Sequence, residues 1–249
     1  MKWRLWVLLS RCKGLYQAVK YLPVGDRALL VEFGNNINPD INRKVHALDH
    51  AISQLEVLGV EECVPTYRSL LVYYDPLKTS YEQLVFKLKD LEKRLDEFSV
   101  LTQRQTVQVP VVYGGKYGPD LKHVAKYHNL DKEKVVQLHS GREYLVYMIG
   151  FVAGFPYLGE VAAEIATPRL KTPRLRVPAG SVGIAEKQTG IYPCESPGGW
   201  QIIGRTPLKF FNIKKQPPAL IQPGDTVKFR RIEKEEFENL RRNNEDETV

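Results

Sequence analysis

The side chains best suited to chemistry gather in one run of this sequence, Gly180 to Leu208 (GSVGIAEKQTGIYPCESPGGWQIIGRTPL). Gln188, Thr189, Glu195, Ser196, Trp200, Gln201, Arg205 and Thr206 supply donors, acceptors, a cation and one large aromatic face, a set that suits a small polar ligand. Glycines between them permit positive φ and close backbone approach. The same glycines also fit the tight corners of a small barrel, with Trp200 in its core and Arg205 paired to Glu195. A second run, Gly150 to Gly159 (GFVAGFPYLG), mixes aromatic residues with glycines and reads as a pocket wall or as plain core. Between the two, Arg169, Lys171, Arg174 and Arg176 crowd the stretch Pro168 to Pro178. Arginine's planar fork suits a carboxylate or a phosphate there; a solvated cationic loop is the other reading.

Motifs that would make the chain self-sufficient are missing. It has no GxxxxGK[ST] phosphate loop, no GxGxxG, no HExxH and no GxSxG. Nucleotide chemistry therefore needs an unconventional site or a partner's site. His46 and His50 stand four apart on a helical pattern, but both fall opposite its apolar stripe and read as surface residues, as do His123 and His128. His139, just before Ser140-Gly141, reads as site member or as structural. Cys12, Cys63 and Cys194 form no CxxC pair, so neither a disulfide framework nor a metal site is expected.

The elements that must position these residues change character along the chain. Ala28 to Phe33 reads as a strand. Asn38-Pro39 opens a helix carrying the stripe Ile41, Val45, Leu48, Ile52 and Leu55, which Gly59 ends. Val60 to Thr66 and Ser69 to Tyr74 read as strands, and Ser80 with Gln83 forms a capping box for a helix closing near Phe98. Thr106 to Tyr113 completes an expected order of strand, helix, strand, strand, helix, strand, the split βαβ arrangement, its last strand shared with the next domain. Two short helices, Asp120 to His128 and Asp131 to His139, are each expected to open on an Asp cap. From Glu143 onward Gly and Pro interrupt every apolar run, which predicts many short strands closing a barrel or sandwich, the last being Thr226 to Ile232. A charged helix comes after it, from Lys234 to Arg242. The expected divisions are a basic extension (1–20), an α/β domain (21–104), a β-barrel domain (105–233) and a charged tail (234–249).

The chain has 249 residues, 43% of them apolar and 26% charged, an ordinary globular composition with no run long enough to span a bilayer. Its net charge of +7 lies mostly in the first 25 residues, where Lys2, Arg4, Arg11, Lys13 and Lys20 meet no acid. The rest is nearly balanced, so nucleic acid is not an expected partner. The apolar stretch Leu5 to Leu9 is short for an export signal, and a cytoplasmic protein is expected.

GFVAGFPYLG, the stretch PRLKTPRLRVPAGSVGIA from Pro168, QTGIYPCESPGGWQIIGRTPL and LIQPGDTVKF together resemble the KipI / allophanate hydrolase subunit 1 family, as does the opening YLPVGDRALLVEFGN from Tyr21. Ala153 departs from the family's usual Pro and Glu186 from its usual Gly, each able to alter a turn. The resemblance implies an α+β chain with an N-terminal ferredoxin-like domain and a C-terminal cyclophilin-like β-barrel. It further implies one component of an ATP-dependent 5-oxoprolinase complex, inactive alone, that opens 5-oxoproline to glutamate. The implied partners are a KipA-like C-subunit of 5-oxoprolinase and a LamB/YcsF-type A-subunit, with ATP as the complex's co-substrate and no cofactor held by this chain. Two other family roles stand beside this one: inhibition of a sporulation histidine kinase, and a place in a urea carboxylase/allophanate hydrolase system. Within the chain, the expected substrate contacts are Gln188 and Arg205, the Gly198-Gly199 backbone and Trp200 as a wall, with Arg174 for phosphate.

Overall fold

A computed structural model describes residues 15–98 and 105–246. The chain divides into two compact units, Met1–Thr102 and Gln103–Val249.

In the first unit, β1 (Leu15–Val24), β2 (Ala28–Gly34), α1 (Pro39–Gln54), β3 (Val60–Pro65), β4 (Ser69–Tyr74) and α2 (Tyr81–Glu92) run in order, with a 3-10 turn at Leu95–Phe98. The four strands make an antiparallel sheet in the order β1-β2-β4-β3. Asn38 caps α1 by accepting from the Asp40 and Ile41 backbone N–H groups, worth about 1 kcal/mol. Its stripe of Ile41, Val45, Leu48 and Ile52 packs with Leu29, Val31, Leu70 and Val72 of the sheet and Leu84, Leu88 and Leu91 of α2. Ser80 and Gln83 form the expected capping box.

Two expectations need correction here. The sheet's fourth strand is β1, which precedes the first helix, and not Thr106–Tyr113, which lies in the other unit. Leu15 to Lys20, the end of the expected basic extension, therefore belong to a strand of the first unit, while residues 1–14 lie outside the described residues. β1 carries no strand signature of its own, because Leu15 to Val24 has polar residues on both faces and no clean alternation, and tertiary pairing with β2 overrides that weak pattern.

The second unit holds β5 (Thr106–Tyr113), α3 (Leu121–Tyr127), α4 (Lys132–Ser140), β6 (Glu143–Ile149), β7 (Pro156–Gly159), β8 (Arg174–Val177), β9 (Ser181–Ala185), β10 (Gln188–Ile191), β11 (Ser196–Gly198), β12 (Gln201–Arg205), β13 (Thr226–Arg231) and α5 (Lys234–Asp246). Seven strands close a barrel in the order β10-β7-β6-β13-β5-β12-β9, and β8 pairs with β11 in a separate ribbon. The seam between β5 and β13 is parallel, Thr106 opposite Thr226 through Val111 opposite Arg231. Val109, Val111, Tyr144, Val146, Leu158, Val182, Ile184, Ile203 and Phe229 fill the core, with α3 and α4 packed against it through Leu121, Val124 and Val135.

The glycines here work mainly as close-packing sites. A Cβ on Gly118 would lie 1.9 Å from the Ile203 carbonyl oxygen, so the β5–α3 loop can lie on β12 only because residue 118 has no side chain. Asp131 caps α4 as expected, accepting from Lys134 N–H. Asp120 does not cap α3; its carboxylate is turned to another use.

Candidate functional site

A cleft of about 310 Å³ opens on the second unit, lined by Phe151, Phe155, Tyr157, Arg169, Pro173, Tyr192, Pro197, Gly198, Gly199 and Trp200. It unites parts of all three stretches that the sequence singles out. Its size is near the lower end for small-molecule pockets, about 300–1,000 Å³, which favours a small ligand.

Phe155 is the hub. Its ring meets Tyr192 edge-on at 5.1 Å between centroids, Trp200 edge-on at 5.4 Å, Phe151 edge-on at 5.6 Å and Tyr157 at 4.8 Å. Such edge-to-face contacts fix ring orientations as well as burying apolar area. Trp200 is both core and wall, 5% exposed yet facing the cleft. Phe151 differs from the rest: it adopts a φ of 64° and stays 61% exposed, standing at the rim. Gly198 sets the floor, since a Cβ there would lie 2.3 Å from the Tyr192 hydroxyl. Burial raises the pKa of Tyr192 and Tyr157, so both hydroxyls keep their protons at neutral pH.

The structure sorts the cationic cluster. Arg174 donates from Nη2 to Asp120 Oδ1 at 2.6 Å and from Nη1 to the Trp200 carbonyl at 3.4 Å. Asp120 Oδ2 in turn accepts from Ile202 N–H at 2.6 Å. One carboxylate thus ties β8, β12 and the start of α3 together. Arg176 pairs with Glu195 at 2.8 Å. Arg169 instead lines the cleft, its guanidinium carbon 5.9 Å from the Trp200 ring centroid, and no carboxylate among the described residues forms an ion pair with it.

Of the residues expected to contact substrate or phosphate, Gly198, Gly199 and Trp200 lie together in the cleft, and the other three lie elsewhere. Gln188 starts β10 and pairs with Gly159 of β7 and Ala185 of β9. Arg205 donates from Nε to the Ala179 carbonyl at 2.7 Å and is half-buried near Tyr117, Glu238 and Arg241, where burial lowers its pKa. It does not pair with Glu195, whose partner is Arg176. Arg174 is bound to Asp120. The sequence reading named Arg169 only as a member of its cluster, because nothing local marks which of the neighbouring arginines lacks a carboxylate partner among the described residues.

His139 proves structural. It is fully buried between Tyr113 and Thr189, Nδ1 lying 2.8 Å from the Tyr113 hydroxyl and Nε2 2.9 Å from Thr189 Oγ1. Burial pushes its pKa down to about 3, so the imidazole is neutral in the folded barrel. His128 is half-buried and meets Thr167 Oγ1 at 3.1 Å, and His46 and His50 are half-buried on α1 where the sequence reading placed them in solvent. Among the described residues no group of His, Cys, Asp and Glu is arranged to hold a metal ion, and no helix is long and apolar enough to cross a membrane.

Fold and cleft together define a mixed helix-and-sheet protein whose closed barrel carries an aromatic cleft edged by one arginine. The chain belongs to the carboxyltransferase domain family, in its part described as subdomain C and D, which matches residues 19–221. It is 44% identical over 224 residues to the B-subunit of 5-oxoprolinase from Bacillus subtilis, covering 86% of this chain and 93% of that one. To the 5-oxoprolinase B-subunit of Haemophilus influenzae it is 47% identical over 173 residues, 70% of this chain and 76% of the relative. A conserved uncharacterized protein from Pyrococcus horikoshii, solved by crystallography, aligns with a TM-score of 0.53 at 50% identity over 88% of this chain and all of that one.

Proposed function

We propose that this chain is the B-subunit of an ATP-dependent 5-oxoprolinase, which opens the lactam of 5-oxoproline to glutamate. The observation that carries the reading is the inventory of the cleft. Its lining offers one cation, two protonated tyrosines and aromatic faces, but no Ser, Cys, His, Lys or carboxylate. Such a site binds and orients a small anion without activating water or a phosphate. A lactam carbonyl is a poor electrophile, so the reaction needs phosphoryl activation and donors to a developing oxyanion. Those groups come from the partners, a KipA-like C-subunit and a LamB/YcsF-type A-subunit, and ATP enters as a co-substrate of the complex. On this reading the chain alone is inactive.

The expected substrate contacts narrow to Gly198, Gly199 and Trp200, with Arg174, Gln188 and Arg205 supporting the scaffold. We also read the barrel as cyclophilin-like and the first unit as a ferredoxin-like sheet whose edge position is filled by a preceding strand. A cyclophilin-like shape brings no prolyl isomerase activity with it.

The test is reconstitution. This chain, purified with and without its KipA-like and LamB/YcsF-type partners, is assayed for ATP-dependent glutamate formation from 5-oxoproline. Glutamate formed only by the assembled set supports the reading; an assembled set that forms none overturns it.

A further inference from the structure

We infer that Arg169 is the residue by which this cleft selects its ligand, and that the ligand class is a small, flat, ring-bearing monocarboxylate. The inference deepens the proposed function and rests on it only for the identity of the natural ligand.

Three observations converge. First, Arg169 alone among Arg169, Arg174 and Arg176 has no carboxylate partner among the described residues; the other two are held by Asp120 and Glu195. A guanidinium left without a counter-ion at the edge of an apolar cleft provides a fork for a planar carboxylate, and five fixed donors make that recognition bidentate. Second, the guanidinium lies over the Trp200 face at 5.9 Å, which orients it without occupying its donors. Third, the remaining walls are aromatic faces and edges from Phe151, Phe155, Tyr157 and Tyr192 around a volume of about 310 Å³. A flat ring fits between such faces, and its single carboxylate then falls to the one cation. A dianion would leave its second charge against aromatic walls without a partner, which is costly.

Inside the cleft Tyr192 supplies the complementary polar contact. Tyr192 lines the cleft and burial keeps its hydroxyl protonated, so the hydroxyl can donate to an acceptor on the ring. The ligand's carboxylate thus faces the rim and its ring acceptor faces inward.

The experiment is calorimetric titration of the full chain, without partners, using 5-oxoprolinate, 2-furoate, neutral 2-pyrrolidinone and the dianion succinate. The expected order has the two ring monocarboxylates ahead of 2-pyrrolidinone, with succinate weakest. Arg169→Gln, at an exposed position, should leave the melting temperature unchanged and weaken the ring monocarboxylates about 10-fold or more. Binding of 2-pyrrolidinone should stay within about twofold, and Arg169→Lys should recover only part of the loss. Ring monocarboxylates bound equally well by wild type and Arg169→Gln, or not bound by wild type at millimolar concentration, overturn the inference. The reconstitution assay separates the two claims. Arg169-dependent binding with an inactive complex removes the 5-oxoprolinase reading alone, whereas an active complex built on a chain that binds no ring carboxylate removes this inference alone.

Discussion

Asp120 and Arg174, 54 residues apart, form a half-buried ion pair at 2.6 Å, and the second oxygen of the same carboxylate accepts from the Ile202 backbone. The pair fixes the β8–β11 ribbon, with Gly198 and the adjoining Pro173, against the barrel. Asp120→Asn keeps the shape but removes the charge, and Arg174→Met leaves a poorly solvated carboxylate. Each should lower stability by about 2 kcal/mol in urea unfolding, below the full cost of breaking a buried pair because Arg174 is partly solvated. Each should also weaken ring-carboxylate binding. Stability within about 0.5 kcal/mol of wild type, the scale of surface substitutions, would show the tie to be ornamental.

Adjacent glycines should behave differently. A Cβ on Gly198 meets the Tyr192 hydroxyl at 2.3 Å, whereas one on Gly199 finds its nearest neighbour, Pro173 Cγ, at 3.7 Å. Gly198→Ala should cost about 1–3 kcal/mol as the floor rearranges. Gly199→Ala should fold normally and weaken ligand binding only by taking up room. Thermal melts and titrations of the two variants side by side decide this; equal stability would refute it.

Arg205→Ala removes a hydrogen bond to the Ala179 carbonyl and should cost about 1 kcal/mol. Ligand affinity and turnover in the assembled complex should stay within about twofold, because Arg205 does not line the cleft. A loss of affinity of about 10-fold with the fold intact would return Arg205 to the site.

His139 gives the barrel a defined acid sensitivity. The unfolded chain takes up its proton near pH 6.5, the folded one only near pH 3, so between these values the unfolded state holds the extra proton. Above pH 6.5 this group costs nothing. Below it, stability falls by about 1.4 kcal/mol per pH unit for the one proton. His139→Gln, whose amide still reaches polar neighbours, should flatten the urea-stability profile between about pH 6.5 and 4.5 by about that slope. An unchanged slope would assign the acid sensitivity to other groups.

Much of this architecture is readable because local chemistry repeats the global answer. Asn38, Ser80 and Asp131 cap helices where their types and positions say they should. The Gly and Pro punctuation after Glu143 does produce short barrel strands. What resisted reading depends on partners distant in sequence. Asp120 has the composition of a cap, and only the fold reveals that it reaches Arg174 and Ile202. The four cations between Pro168 and Pro178 are alike in type, and their separate fates depend on which acids the fold brings near. Strand β1 is recognised through its pairing with β2, not through its own pattern. The aromatic and Gly-rich runs were both legible as pocket material, but their meeting in one cleft was not.

The parallel seam between β5 and β13 also constrains the order of events during synthesis. Thr106 faces Thr226 and Val111 faces Arg231, so the barrel's opening strand, flanked on its other side by β12, waits for nearly the whole unit to be made before its second neighbour exists. Until then β5 offers the ribosome's surroundings a bare apolar edge, the kind that recruits chaperones or stray strands. A chain released before residue 226 has strands but no way to close them, so a nonsense codon even that late leaves an open sheet and not a slightly shortened protein.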